Sequence, residues 1–277
     1  MTEAEAMRKL LALMERLRDP SQGCPWDRAQ DFSSIAPYTI EEAYELAAAI
    51  ECADPDRIRD ELGDLLFQVV FHARLAEERG WFDFAAVARG IHDKLVRRHP
   101  HVFGEAPIGD KSTLSREWES GKRAERAARG DVGTLADVPL ALPALTRAAK
   151  LGRRAGQVGF DWPTPDGARQ KLDEELREMD EAAAAVTSPG GRESLEDELG
   201  DVLFSVVNVA RLHGLDPEGA LRAANAKFER RFAAMESLAR EEGLAIAGLT
   251  PEEWEALWQR AKKQLAARFS AGSGNPS

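Results

Sequence analysis

The chain has 277 residues, which suggests about two domains, and 43% of them are hydrophobic, which is enough for packed cores. Its formal net charge is −11, from 48 acidic and 37 basic residues. No stable nucleic-acid partner is therefore expected, because a protein that wraps duplex DNA needs a broad excess of Lys and Arg. The charged N-terminus predicts neither a signal peptide nor a membrane span, and two isolated cysteines fit a reducing cytoplasm better than a disulfide framework or a zinc site.

Helical periodicity and capping residues predict four helices in the first half of the chain. Apolar residues at helical spacing near the N-terminus indicate the first helix. Thr39 and Glu42 form a capping-box pattern for the second helix. Asp54 followed by proline begins the third helix, which Gly80 ends, and Asp83 can cap the fourth.

The second half of the chain shows the same kind of signals. Thr164 and Asp216, each followed by proline, predict two helix starts, while Gly214 and Gly243 predict helix ends. No stretch alternates convincingly as a β-strand would. The expected fold class is therefore all-α, with two tandem four-helix repeats.

An internal repeat organises the chain. Asp60–Leu75 reads DELGDLLFQVVFHARL, and Asp197–Leu212 reads DELGDVLFSVVNVARL. The similarity continues on both sides of these segments, so the chain consists of two related units. The predicted boundaries are those of an N-terminal repeat, a linker, a C-terminal repeat and a disordered tail: 1–125, 126–144, 145–269 and 270–277.

Each repeat places two carboxylates on each of two neighbouring helices, at the edge of an apolar stripe. Four clustered negative charges repel one another, and a divalent cation is the natural compensation. Oxygen ligands favour Mg²⁺, with Mn²⁺ as a second choice, over zinc. No Glu-x-x-His motif is present, so di-iron chemistry is disfavoured. The predicted metal ligands are Glu42, Glu45, Glu61 and Asp64 in the first repeat and Glu175, Glu178, Glu198 and Asp201 in the second.

This arrangement, EExxE followed by ExxD on the next helix, resembles the signature of the all-α NTP pyrophosphatase family. CPWD at Cys24–Asp27 and RHPHVF at Arg98–Phe103 make the chain similar to the two-repeat MazG form of that family. The resemblance covers nearly the whole chain. It implies Mg²⁺-dependent hydrolysis of NTPs and dNTPs to a monophosphate and pyrophosphate, a role in nucleotide-pool housekeeping, and a homodimer.

The resemblance also implies roles for individual residues. Glu175 would act in catalysis as a metal ligand, and Glu174 beside it would orient or deprotonate the attacking water. Lys122, the first-repeat counterpart of Lys262, is also expected to bind nucleotide. The positions that match the nucleotide site of the family in the second repeat are Lys171, Glu174, Lys227, Arg231, Trp258 and Lys262.

The two repeats are not equivalent. Lys171 has Tyr38 as its counterpart, so the first repeat lacks one phosphate-facing cation. Lys227 and Arg231, by contrast, are retained there as Lys94 and Arg98. The resemblance implies that hydrolysis takes place mainly in the second repeat, while the activity of the first repeat stays an open question.

The sequence leaves two questions open, the role of Trp258 and the function of the chain as a whole. Trp258 either stacks on a nucleobase or packs in the protein. The chain as a whole is either the enzyme that the resemblance implies or a non-catalytic helical adaptor for nucleotides or a protein. A metal-storage or oxygen-activating carboxylate bundle is a third reading, against which the missing Glu-x-x-His argues.

Overall fold

The computed structural model describes residues 1–104, 110, 114, 118, 120–122, 125, 130 and 133–272. The described residues form α-helices and contain no β-strand, so the predicted all-α class is confirmed. The chain divides into two compact units, Met1–Glu125 (unit 1) and Arg126–Ser277 (unit 2). No helix among the described residues is long and apolar enough to cross a membrane.

Unit 1 is built around the antiparallel pair of its two longest helices, which the sequence connects through a short turn at Ala53 and Asp54. The described positions between 114 and 125 are also helical. The helices are α1 (Glu3–Leu17), α2 (Pro25–Ala29), α3 (Phe32–Cys52), α4 (Pro55–Glu78), α5 (Phe84–Arg98) and α6 (Pro100–Phe103).

Most helix ends in unit 1 follow the predicted capping residues. The Asp54 carboxylate accepts hydrogen bonds from the first free N–H groups of α4, and Asp83 does the same for α5. Gly80 has φ of 69°, the left-handed conformation that suits a residue just past a helix end. The predicted start of α3 at Thr39 is wrong, because Asp31 and Ser34 form a reciprocal capping box upstream and the helix begins there.

The core of unit 1 lies where α1 and α3 pack on the C-terminal half of α4. Its fully buried members are Met14, Ile35, Val70, Phe71 and Leu75. Thr39, inside α3, places its hydroxyl 2.9 Å from Nε2 of His72 on α4. The core therefore fixes α3 against α4, which sets the relative position of the carboxylates on these two helices.

Unit 2 repeats the long antiparallel pair and adds a second one. Its helices are α7 (Ala144–Gly156), α8 (Pro165–Ala184), α9 (Gly191–Leu212), α10 (Pro217–Glu241) and α11 (Pro251–Gly272). α8 packs along α9, α10 packs along α11, and α7 crosses onto α9. The predicted ends at Gly214 and Gly243 are present, with φ of 71° and 66°.

Two segments of the chain limit the comparison with the predicted boundaries. Of the predicted linker 126–144, residues 126–129, 131 and 132 lie outside the described residues. Of the predicted disordered tail 270–277, the first three residues belong to α11, which runs to Gly272, and 273–277 lie outside the described residues.

Candidate active site

The carboxylates of α3 and α4 come together in unit 1. Glu42, Glu45 and Glu61 each offer an oxygen, and these oxygens lie within 4.8 Å of one another. Asp64 does not belong to this tightest set. Burial raises the pKa of Glu42, and the charge of Asp64 raises it further, ahead of the other carboxylates around it. Asp64 therefore lies near enough to the other three predicted ligands for its charge to act on Glu42.

Unit 2 has a matching cluster on α8 and α9. Glu175, Glu198 and Asp201 offer oxygens within 4.8 Å of one another. Burial raises the pKa of Glu198, and the Glu178 carboxylate is the next largest cause. Glu178 thus faces the cluster without joining its tightest set. Glu175 is only 5% exposed, which is unusual for a carboxylate, and the Lys171 ammonium lies 2.7 Å from its Oε1.

The turn between α8 and α9 depends on a small residue that keeps the pair antiparallel. A Cβ added to Gly191 would lie 2.1 Å from the carbonyl oxygen of Ala185, which is far inside van der Waals contact. In unit 1 the corresponding turn passes through Ala53, whose φ is 52°. Each turn thus returns the chain antiparallel to the preceding helix, so the carboxylates on the two helices face each other.

Lys171 contacts the carboxylate cluster of α8 and α9 in unit 2. Its Nζ lies 2.7 Å from Oε1 of Glu174 and 2.7 Å from Oε1 of Glu175. These contacts raise the pKa of Lys171, and the hydrogen bond from Lys171 lowers the pKa of Glu174. The structure thus brings together three of the residues that the sequence singles out. At the equivalent position in unit 1, the Tyr38 ring instead meets Trp26 edge-on, with 6.0 Å between the ring centres.

The other predicted nucleotide-site residues of unit 2 lie on α10 and α11. The guanidinium carbon of Arg231 is 5.5 Å from the centre of the Trp258 ring, and that ring also packs on Phe228. Trp258 therefore packs against the protein, which is one of the two alternatives that the sequence leaves open. Lys227 is exposed and Lys262 is partly buried. Among the described residues, no hydrogen bond or ion pair joins this group to the carboxylates of α8 and α9.

Unit 1 contains the same kind of basic residues stacked on a tryptophan, together with a carboxylate, Glu125. Arg98 and Lys122 both lie over the Trp118 ring, at 5.0 Å and 5.5 Å from its centre. Glu125 forms ion pairs with Arg98 and with the neighbouring Arg97. Sequence reasoning misses Glu125, because it lies 27 residues from Arg98 and no local motif links the two.

The donor atoms of both clusters fit a hard divalent cation. Each set consists only of carboxylate oxygens from residues one turn apart on two facing helices, and the mutual separations allow several oxygens to reach one ion. Burial raises the pKa of Glu42 and of Glu198, and the neighbouring carboxylates raise both further, so keeping these groups charged is costly. A cation would remove that electrostatic cost.

Comparison with known proteins gives two kinds of match. The model of the family described as "MazG nucleotide pyrophosphohydrolase domain" matches residues 30–103 and 164–234, which include both acidic clusters. The chain is 48% identical over 257 residues to an Escherichia coli K12 protein named nucleoside triphosphate pyrophosphohydrolase, covering 92% of this chain and 97% of that protein. The match thus extends beyond the clusters to almost the full length of both chains.

Two further relatives match more than nine tenths of this chain. A Thermotoga maritima protein named nucleoside triphosphate pyrophosphohydrolase/pyrophosphatase MazG is 43% identical over 254 residues, which cover 92% of this chain and 94% of that protein. The Bacillus subtilis protein YabN is 42% identical over 252 residues, but this chain spans 50% of its length.

Proposed function

This chain belongs to the MazG nucleotide pyrophosphohydrolase family, and from that premise we propose how its two units contribute to the hydrolysis of nucleoside triphosphates. The chain is a nucleoside triphosphate pyrophosphohydrolase. Its substrates are NTPs and dNTPs, its products are the monophosphate and pyrophosphate, and its role is housekeeping of the nucleotide pool. The reaction depends on Mg²⁺, or on Mn²⁺ in its place, and proceeds mainly in unit 2.

One observation carries the assignment to unit 2. The Lys171 ammonium lies against Glu174 and Glu175, next to the metal-ligand candidates, whereas unit 1 has Tyr38 at that position. A lysine is a compact, mobile positive charge that can leave a carboxylate for a phosphate. A phenol cannot supply that charge at neutral pH. Unit 2 is therefore better equipped to bind a triphosphate.

Different residues of unit 2 would bind the metal, bind the phosphates and accept the proton from water. Glu175, Glu178, Glu198 and Asp201 would hold the cation, which when bound offsets the charge that develops on the phosphate oxygens. Lys171, Lys227 and Arg231 would bind the phosphates that leave. As Lys171 turns to a phosphate, Glu174 becomes free to accept a proton from the water that attacks the α-phosphorus. The bond from that phosphorus to the bridging oxygen then breaks and releases pyrophosphate.

A homodimer is part of the proposal, and uncovered apolar side chains support it. Leu62, Leu66 and Val69 on α4 are between 36% and 51% exposed, although their spacing places them on one face of the helix. The repeat counterparts on α9, Leu199, Leu203 and Val206, are between 44% and 48% exposed. Apolar stripes of this kind are typical of surfaces that a partner covers.

Product analysis tests the proposed function. The full-length chain would be incubated with a panel of NTPs and dNTPs and Mg²⁺, alongside Glu175→Ala and the matched variant Glu42→Ala. We expect monophosphate and pyrophosphate from the wild type and a loss of at least about 100-fold in Glu175→Ala, because a buried ligand is removed. Glu42→Ala should retain most of the activity.

The outcomes separate the remaining possibilities. If both substitutions abolish pyrophosphate release, the assignment of the reaction mainly to unit 2 is wrong. If the wild type binds nucleotides and releases no pyrophosphate from any of them, the adaptor reading replaces the enzyme. If chelation of divalent cations leaves the rate unchanged, the metal dependence is wrong.

A further inference from the structure

The two units contain the same stacked arginine. In unit 1 the Arg98 guanidinium lies 5.0 Å from the centre of the Trp118 ring. In unit 2 the counterpart Arg231 lies 5.5 Å from the centre of the Trp258 ring. Such stacking orients the guanidinium and leaves its N–H groups at the ring edge to donate. The arginine therefore has a similar place in both units, and the units differ in which group accepts its hydrogen bonds.

In unit 1 the arginine donates to a carboxylate of the same unit. Arg98 donates from Nε to Oε1 of Glu125 at 3.2 Å and from a terminal nitrogen to Oε2, while Arg97 donates to Oε1 at 2.7 Å. The side chains of Arg98 and Glu125 are 12% and 21% exposed, so water screens the pair only weakly. The hydrogen bond from Arg98 is the largest of the causes that lower the pKa of Glu125 to about 2. The carboxylate is therefore charged at neutral pH.

In unit 2 the corresponding position cannot make this contact. When Trp118 and Lys122 are aligned with Trp258 and Lys262, Glu125 falls on Leu265. A leucine offers no acceptor, and within the part of unit 2 that the structure describes no carboxylate pairs with Arg231. The Arg231 guanidinium is thus available to an anion from solution.

We propose that Glu125 acts as a built-in substitute for phosphate, which occupies Arg98 and weakens triphosphate binding in unit 1, whereas Leu265 leaves Arg231 open to the triphosphate in unit 2. The inference rests on the proposed function, because it takes this pair of arginines as phosphate-binding. Carboxylate and phosphate compete for the same two N–H groups of a guanidinium, since both accept in a bidentate manner. A phosphate that displaced Glu125 would also leave a negative charge beside it. Glu125 is a positioning residue, which acts through Arg98.

The first experiment measures binding rather than turnover. Tripolyphosphate would be titrated by calorimetry, with Mg²⁺ present, into the full-length chain carrying Lys171→Met and Arg231→Ala, which weaken the site of unit 2. Adding Glu125→Gln should strengthen binding in unit 1 about tenfold, because the neutral amide holds Arg98 less firmly. The matched control is Glu78→Gln, which loosens another two-oxygen pair with arginine, at the opposite end of α4 from Glu61.

The second experiment transfers the carboxylate to unit 2. Leu265→Glu in the otherwise unchanged chain should raise KM for ATP about tenfold and change kcat much less, because it competes with the phosphates and touches no reacting atom. Leu265→Gln, of similar size and without the charge, should stay near the wild-type KM. A purely structural role of position 265 would affect both variants alike.

Three results would overturn the inference. The first is an unchanged affinity for tripolyphosphate when Glu125→Gln is added. The second is an equal gain in that affinity from the Glu78→Gln control. The third is an unchanged KM for ATP in Leu265→Glu, with an intact fold by circular dichroism. Failure of the proposed function is distinguishable from these, because it would appear as a wild type that releases no pyrophosphate. The tripolyphosphate titration needs no turnover and would still decide the role of Glu125.

Discussion

A single residue pair in unit 1 links stability to pH. The Arg18 side chain, 7% exposed, donates to both carboxylate oxygens of Glu78 at 2.9 Å and 2.7 Å and to the Gln30 carbonyl at 3.2 Å. The hydrogen bond from Arg18 is the main cause that lowers the pKa of Glu78 below 4.5. Because the folded pKa is lowered, the stabilisation is complete above pH 4.5 and is lost as the pH falls through the folded pKa.

We expect Glu78→Gln to reduce the free energy of unfolding by about 2 kcal/mol at neutral pH, because Arg18 stays buried without a counter-charge. The difference from the wild type should narrow below pH 4.5, where the wild-type carboxyl is also neutralised. Urea unfolding followed by circular dichroism at several pH values measures this. Glu77→Gln is the control, since Glu77 is more exposed and its ion pair among the described residues is with Arg74, not with Arg18. A difference that does not vary with pH would contradict the explanation.

Individual ligands are more predictable from sequence than their counter-ions are. Glu42 and Glu45 lie one turn apart on α3, a spacing that the sequence shows, and the repetition of the motif predicts that Glu61 on the next helix joins them. The packing of α3 against α4 then brings the three oxygens together. The pair of Glu125 with Arg98 joins residues far apart in sequence, and its existence depends on how two helices pack. Such a contact has no local signature and becomes apparent only in the folded unit.

At the scale of helices, the ends are largely predictable and the covered faces are not. Asp54, Asp83 and Asp216 cap their helices through bonds to neighbouring N–H groups, so a few adjacent residues determine the outcome. Thr39 misleads because a better-matched capping box lies upstream, at Asp31 and Ser34. Which apolar stripe is buried depends on packing partners, as the half-exposed Leu62 illustrates.

The crossing of α7 over α9 gives a prediction about one glycine. A Cβ added to Gly152 would lie 2.6 Å from Oδ1 of Asn208 and 2.9 Å from Nε of Arg211. Neither atom can yield easily, since Asn208 is 1% exposed and Arg211 is held by two hydrogen bonds to Asp161 at 2.8 Å and 2.6 Å. Gly152→Ala should therefore destabilise the protein by about 2 kcal/mol, despite the higher helix propensity of alanine.

Thermal unfolding of Gly152→Ala beside Gly90→Ala makes the test specific. Gly90 also lies inside a helix, α5, and an added Cβ there meets no atom within 4 Å. Gly90→Ala should raise the stability slightly, by up to about 1 kcal/mol. Equal effects of the two substitutions would show that helix propensity rather than the approach of α7 to α9 governs position 152.

At the scale of the whole molecule, the exposed stripes on α4 and α9 lead to a prediction about assembly. We expect sedimentation analysis to give twice the 30.4 kDa mass of the chain. Leu203→Glu should shift the protein towards the monomer, because a charge in a buried contact is costly to desolvate. Leu140→Glu is the control, since Leu140 is 84% exposed and lies outside both stripes. A wild-type monomer would exclude the homodimer.

The position of Lys171 also has a consequence for the order of events. One oxygen of Glu175 already has the Lys171 ammonium at 2.7 Å, so a metal ion that arrives alone must compete with a tethered cation for the same atom. When the metal arrives with the triphosphate, the Lys171 ammonium can leave the Glu175 carboxylate and bind a phosphate instead. If the carboxylates hold a metal as proposed, unit 2 would favour uptake of metal and nucleotide together, whereas unit 1 has Tyr38 in place of that lysine and so no competing ammonium at this position.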